Sequence, residues 1–369
     1  MIKILYLLTS CKKVGPVQQT LNIVQNLDRS KFEPYLVTLY HEDERESQLT
    51  KFLPYVKHQF VRTDKMSLIF GCSKRLEKVI DEIEPDVIHS LGVFPDFAVS
   101  RMKKWKQIIT LRNYVYEDYP AKFGWIRGFI MARLHLYAMQ HTTKTVTCSE
   151  SLANIYKDRL GLSFGYVRNG VDVDQYSMPS AKEKVEIRNE LALPRNAFIF
   201  VYTGQMIERK NVGFLLEAFY NAFKNENVYL LLLGGGAMLD GFRKKYGNEP
   251  NIDFRGNVMD VNHYLKACDA YVSTSKSEGL PNGVLEAMAT GIPFVLSNID
   301  QHLEIYDADQ RSGFVYSQGN KEDFIMKLME IRRSSTEMAK VAFSAAHLYF
   351  SAKGMSEKYQ DLYRNIIEA

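Results

Sequence analysis

The stretch from Ala270 to Pro293 leaves this chain few ways to fold. β-favouring residues run from Ala270 to Thr274 and end in a serine-rich turn, Ser275-Lys276-Ser277. Glu278-Gly279-Leu280-Pro281-Asn282-Gly283 follows, then an apolar-periodic segment, Val284 to Ala289, stopped by Gly291 and Pro293. Proline is tolerated in a first helical turn and glycine closes one, so the punctuation reads strand, loop, helix. A loop that feeds a helix N-terminus presents backbone N–H groups and the positive end of the helix dipole, a combination that favours an anion. Two carboxylates bracket that place: Glu278 in the loop and Glu286 inside the helix. A carboxylate repels phosphate but accepts hydrogen bonds from hydroxyls, as a ribose diol offers. The segment therefore suits a ligand carrying both phosphate and several hydroxyls.

A second segment repeats the pattern. Phe198 to Tyr202 is an apolar strand, Gly204 lets the chain turn, and Arg209-Lys210 precedes a helix from Val212 to Phe223. Arg and Lys adjacent at a loop-to-helix junction suit a diphosphate, the first by its planar fork and the second as a point charge. Tyr229 to Leu233 is a buried strand ending in Gly234-Gly235-Gly236, which lacks the third glycine of a dinucleotide fingerprint. Towards the N-terminus, Ile2 to Thr9 reads as a buried parallel strand, continuous and apolar. A loop containing Gly15-Pro16 and a helix from Gln19 to Leu27 complete a Rossmann-like opening.

With 369 residues and 46% hydrophobic side chains, two domains with sizeable cores are expected. Residues 175–195, polar and carrying Pro179 and Pro194, read as a linker with a short helix. Cys11, Cys72, Cys148 and Cys268 are scattered without metal spacing, which suits a reducing cytoplasm. No apolar run approaches the roughly 20 residues of a membrane span. Residues 1–177 hold 25 Lys and Arg against 19 Asp and Glu (+6). The remainder holds 22 against 24 (−2), together the chain's +4. A basic first half without a nucleic-acid motif points to an anionic substrate or an anionic membrane surface.

Glu278, seven residues, Glu286, set around Gly-Leu-Pro-Asn and the tail Leu285 to Pro293, resembles the donor signature of the retaining GT-B glycosyltransferases of family 4. The resemblance runs along the whole chain, strong in the second half and degenerate in the first. It implies an α/β fold of two Rossmann-like domains facing across a cleft: residues 1–177 on the acceptor side, 196–350 binding a nucleotide-sugar, and 351–369 a helix crossing back to the first domain. It implies retaining transfer of a hexose or N-acetylhexosamine from a nucleotide-sugar, UDP-linked, to an acceptor hydroxyl in surface polysaccharide or glycolipid assembly. Gly204, Arg209, Lys210, Gly279, Leu280, Pro281, Asn282, Gly283 and Glu286 would bind the donor, and Glu278 would act at the transferred sugar. The family's first loop carries a Gly-Gly pair. Here the second glycine is Pro16, which removes one backbone donor and leaves Gly15 at the site.

Many members also carry His-x-His where this chain has His89 and Leu91. The second histidine is absent, so His89 and, a few residues on, Asp96 remain as catalytic candidates, and the donor's own β-phosphate becomes the base. Asp172-Val173-Asp174 spells the metal signature of the other glycosyltransferase fold but lacks its strand context. No metal and no cofactor are implied, since the nucleotide-sugar is a substrate. Two other classes share the architecture: a nucleotide-sugar 2-epimerase, and a catalytically silent partner of a glycosyltransferase pair, which Pro16 and Leu91 would suit.

Residues 114–140 interleave aromatics with Lys122, Arg127 and Arg133, and Ile126, Phe129, Ile130, Leu134 and Tyr137 have helical spacing. Such a segment lies either on a membrane or beneath an acceptor cleft as a core helix. The upstream cluster Arg101, Lys103, Lys104, Lys106 tilts the reading to a peripheral, anionic-membrane surface. The expected setting is the cytoplasm at the inner face of the membrane, with a carbohydrate or lipid-linked acceptor and no nucleic acid.

Overall fold

The computed structural model describes residues 1–63 and 74–369. The chain divides into two compact units, Met1–Gly170 with Ala352–Ala369, and Val171–Ser351. It passes from the first to the second once and returns for the last helix.

In the first unit seven strands form one parallel sheet. In chain order they are β1 Ile2–Leu8, β2 Phe32–Thr38, β3 Lys57–Phe60, β4 Val87–Leu91, β5 Lys106–Leu111, β6 Lys144–Thr147 and β7 Gly165–Tyr166. Their spatial order is β3-β2-β1-β4-β5-β6-β7. β1 shows why an unalternating apolar strand belongs at the centre. Ile4, Tyr6 and Leu8 face a core shared with the helices Gly15–Gln25 and Ala352–Glu368, while Leu5 and Leu7 face the opposite core with Lys74–Ile83 and Val93–Val99. Both faces of the strand are dry, so neither can be polar. The helix expected from Gln19 begins at Gly15 because Pro16 fits its first turn. β3 escapes the sequence pattern: Lys-His-Gln-Phe is a short, mostly exposed edge strand.

The second unit holds six parallel strands: β8 Phe198–Thr203, β9 Val228–Leu233, β10 Ile252–Gly256, β11 Ala270–Ser273, β12 Phe294–Ser297 and β13 Gly313–Tyr316. Their order is β10-β9-β8-β11-β12-β13. Phe200, Leu230 and Val272 pack against Leu215, Phe219 and Phe223 of the helix Val212–Phe223 and against Phe324, Leu328 and Ile331 of the helix Lys321–Tyr349. Burying each such side chain contributes about 1.5–3 kcal/mol. Residues 175–195, expected as a linker, belong to this unit, as do residues 171–174, expected in the first. The helix Ala181–Glu190 is held through Arg188, which donates to the Ala267 carbonyl at 2.9 Å and pairs with Asp269 at 2.7 Å.

The helix Ala352–Glu368 joins the first unit through hydrogen bonds that its sequence did not advertise. Ser356 donates to the Ile23 carbonyl at 2.8 Å, and the Asp28 N–H donates to Gln360 at 3.1 Å. Cys11, Cys148 and Cys268 are free thiols, all buried, and Cys72 lies outside the described residues.

Candidate functional site

β8 and β11 are adjacent in the sheet but separated in sequence, with β9 and β10 stacked to one side of β8 and β12 and β13 beyond β11. Such a reversal of strand order opens a crevice at the carboxyl ends of the two strands. The loops that leave there are Gly204–Asn211 after β8 and Thr274–Pro281 after β11. They are tied to each other: the Lys276 N–H donates to the Arg209 carbonyl at 2.8 Å and Thr274 Oγ1 donates to the Asn211 carbonyl at 3.0 Å.

These ties bring the predicted residues together. Arg209 Nη1 lies 3.0 Å from Glu278 Oε2 and Lys210 Nζ 2.5 Å from Glu278 Oε1. Ser275 Oγ donates to the same Oε1 at 2.7 Å, and Arg209 also reaches the Ser277 carbonyl. Glu278 is only 6% exposed. Burial pushes its carboxyl pKa up, but the Lys210 and Arg209 charges outweigh that and hold it down at about 2. The carboxylate is thus ionised at any working pH, and the two cations converge on a dry, preorganised spot.

The helix Asn282–Ala289 starts beside this cluster, with Pro281 as its N-cap residue and no side chain capping its first turn. Its approach to the sheet depends on Gly283. A Cβ there would stand 2.3 Å from Thr203 Oγ1 and 2.6 Å from the Tyr271 hydroxyl. Glu286, one turn in, is half-buried. Burial first, then the charges of Glu278 and Glu286, raise the Tyr271 phenol, so both carboxylates act on one side chain. Gly279 and Leu280 complete the loop, with Leu280 buried. Gly204 opens the other loop, its N–H donating to the Leu233 carbonyl at 2.9 Å. The Gly234–Gly236 run now has a reason other than a dinucleotide: a Cβ on Gly234 would lie 2.0 Å from the Gly204 oxygen, so the loops after β8 and β9 could not pack.

Comparison with known sequences gives the family. Residues 15–175 match the profile described as Glycosyltransferase Family 4, and residues 183–346 the one described as Glycosyl transferases group 1. This chain is a family 4 glycosyltransferase. The glycosyltransferase is 23% identical to the O-antigen biosynthesis glycosyltransferase WclY of Escherichia coli, over 99% of both chains. It is 25% identical to the UDP-Gal:alpha-D-GlcNAc-diphosphoundecaprenol alpha-1,3-galactosyltransferase of the same organism, covering 87% of this chain and 78% of that one. It is also 24% identical to the alpha-monoglucosyldiacylglycerol synthase of Streptococcus pneumoniae, covering 84% and 72%. Among solved structures, HepE of Anabaena in complex with UDP and glucose superposes with a TM-score of 0.81 at 16% identity, covering 99% of this chain and 100% of that one. Sucrose-phosphate synthase of Thermosynechococcus elongatus gives 0.80 at 14% identity, covering 99% of both chains. The fold of the glycosyltransferase is GT-B.

Within the first unit of the glycosyltransferase the expected catalytic side chains take other positions. His89 lies inside β4, 4% exposed, not at a strand end facing solvent. Its Nδ1 is 2.7 Å from the Tyr363 hydroxyl and its Nε2 2.8 Å from Thr110 Oγ1. Tyr363 reaches on to Tyr6 at 3.1 Å, and Thr110 to Tyr359 at 2.9 Å. Burial, aided by the Arg112 charge, drives the His89 pKa down to about 3. A neutral imidazole with both nitrogens engaged pins the returning helix to the sheet and has no nitrogen left for a substrate proton. Asp96, expected to face a cleft, is 1% exposed and sits 2.8 Å from His135 Nε2. Gly15 is exposed and is the first residue of its helix. Asp172 and Asp174 lie in a turn where Gln175 bonds Asp172, and no group of His, Cys, Asp or Glu capable of holding a metal occurs among the described residues.

The sequence reading missed two residues beside Glu278. Ser275 was passed over as part of a polar turn, although its place three residues before Glu278 lets the hydroxyl bond back to it. His302 is fully buried, with Nδ1 2.9 Å from the Ser297 carbonyl and a pKa pushed down to about 4 by burial, which the Glu278 charge partly offsets. Nothing in its local sequence, Asp-Gln-His-Leu, marks it.

Proposed function

We propose that this glycosyltransferase moves a hexose or N-acetylhexosamine from a UDP-linked sugar to the hydroxyl of a lipid-linked acceptor, in assembly of a surface polysaccharide or glycolipid, with retention at the anomeric carbon. The observation that carries the reading is the convergence of Arg209 and Lys210 on one buried point beside the start of the helix Asn282–Ala289. The leaving diphosphate takes up charge as the glycosidic bond breaks. Fixed donors that cost no reorganisation stabilise that charge, by about 2.7–4 kcal/mol for a single well-aimed donor. Arg209 and Lys210 supply two cations and the helix supplies its dipole, so the reading calls for no metal and no cofactor. Glu286 takes the ribose hydroxyls, and Glu278, positioned by Ser275 and both cations, meets the transferred sugar.

His89 is buried and fully bonded, so the acceptor proton passes to an oxygen of the donor's own diphosphate as the acceptor attacks from the face the nucleotide leaves. The acceptor class draws on the relatives: two are named for a diphosphoundecaprenol and a diacylglycerol product or substrate, and one for O-antigen biosynthesis. Incubation with UDP-hexoses and a polyprenyl-diphosphate sugar, followed by NMR of the product, tests this. The expected product has the donor's anomeric configuration and forms in EDTA. Inverted product, or free epimer released without acceptor, contradicts it.

A further inference from the structure

The helices Val115–Phe123 and Trp125–His141 form a hairpin in the first unit, turned at Gly124. The apolar stripe of the second helix is not its core face. Gly128, Ala132, His135, Leu136 and Met139 are buried, while Ile126, Phe129, Ile130, Arg133 and Tyr137, spaced i, i+3, i+4, i+7, i+11, are exposed. At the crest Trp125 is 77% exposed, Ile126 69%, Ile130 54%, and Phe123 and Phe129 47% each. Five large apolar side chains side by side in water are costly unless something covers them.

The crest is rigid. A Cβ on Gly128 would stand 2.4 Å from the Pro120 backbone, so the two helices pack in direct backbone contact. The base is clamped by Tyr119, whose hydroxyl is 2.6 Å from His135 Nδ1, and by Asp96 on His135 Nε2. This gives Asp96 a structural use. Charge around the crest is mainly positive: no Asp or Glu lies between Asp118 and Glu150, Arg127, Arg133 and Lys144 are exposed, and Lys122 pairs with Asp118 at 2.6 Å. The cluster upstream is more occupied than its sequence suggests, since Lys104 pairs with Asp81 at 2.6 Å and Lys103 donates to the His141 carbonyl at 2.5 Å.

We propose that the crest Phe123, Trp125, Ile126, Phe129 and Ile130 seats in the interfacial layer of an anionic lipid bilayer, with Arg127 and Arg133 at the headgroups. Trp and Phe beside Arg on a helix lying in the interface plane fit that boundary, and neither a soluble sugar nor an acidic peptide would cover the apolar area. Among the described residues no helix is long and apolar enough to cross a membrane, so the crest would hold the enzyme reversibly. The partner rests on the lipid-linked acceptor proposed above; the surface itself does not.

The test uses the full chain carrying Trp105→Phe, which leaves Trp125 as its one tryptophan. With mixed phosphatidylcholine–phosphatidylglycerol vesicles its emission should shift to the blue and the protein should co-sediment. High salt should weaken binding without abolishing it, because the apolar contact is unscreened. Ile126→Ser, Phe129→Ser and Ile130→Ser together should cut partitioning about tenfold or more at both salts. Ile126→Asp alone should do so in part, and Arg127→Glu with Arg133→Glu should act mainly at low salt. UDP binding, measured in the same samples, reports on the second unit. Vesicle binding lost with UDP binding kept in these variants supports the proposal, and UDP binding absent in the unaltered protein would count against the donor reading alone. An unshifted Trp125 spectrum with anionic vesicles overturns the proposal. So does a blue shift that grows with protein concentration in the absence of lipid, which would make the crest a contact between copies of this chain.

Discussion

Glu278 is a carboxylate clamped by two cations that a diphosphate would also claim. Replacing it by Gln leaves the half-buried Arg209 and Lys210 with less charge opposite them, and should lower stability by about 1–3 kcal/mol. Part of that loss should return when UDP is added, because phosphate replaces the missing charge. Denaturant unfolding with and without UDP reads this, and a deficit unchanged by UDP would show that the cations do not meet the diphosphate. Glu286→Ala should act the other way, weakening UDP binding by about 0.5–1.5 kcal/mol while leaving stability near that of the parent. If Glu278→Gln abolished UDP binding and Glu286→Ala spared it, the two roles would be reversed.

At the scale of elements, the packing of the helix Asn282–Ala289 on β8 and β11 rests on the missing side chain at position 283. Gly283→Ala places a methyl within 2.3 Å of Thr203 Oγ1 and must move the helix start. The expected result is a loss of about 1–3 kcal/mol of stability, the range for overpacking, together with weaker UDP binding. An alanine variant that binds UDP as the parent does would show the helix start to be slack. The returning helix makes a different prediction, through His89. Its folded pKa, about 3, lies below the usual 6.5. Above 6.5 the ring is neutral folded or unfolded and contributes nothing to pH dependence. Below 6.5 the unfolded chain takes up a proton that the fold refuses, so stability falls with pH by up to about 1.4 kcal/mol per unit until about 3. His302, with its pKa near 4, adds a similar slope over a narrower window. Glu278 adds one lower still: its stabilisation is complete above 4.5 and is lost as pH falls towards 2. His89→Gln should flatten the fall between pH 6.5 and 4 relative to the parent, measured by denaturant unfolding at each pH. An unchanged slope would mean that the imidazole is solvated.

Over the whole molecule, what the sequence made legible follows from how local the chemistry is. The proposed donor site is built from two loop-to-helix junctions, each contiguous in sequence, so Arg209, Lys210, Glu278 and Glu286 could be read from spacing and turn residues. Ser275 joins it locally, three residues before Glu278, but His302 joins it only because β12 and the helix Asp300–Tyr306 pack together, and no local pattern records that. In the first unit His89 could stand as a catalytic candidate because the partners that bury it, Tyr359 and Tyr363, lie at the other end of the chain. The apolar stripe of Trp125–His141 was visible as a period, but periodicity gives the face of a helix and not which side of it meets solvent. The central claim is that a nucleoside diphosphate is held by Arg209 and Lys210 in the second unit. Calorimetric titration of UDP and of uridine into the full chain and into Arg209→Ala and Lys210→Ala tests it most directly. Each substitution should weaken UDP by about 1.5–3 kcal/mol, the worth of a hydrogen bond to a charged group, and leave uridine nearly unchanged. Equal losses for UDP and uridine, or none for either, would contradict it.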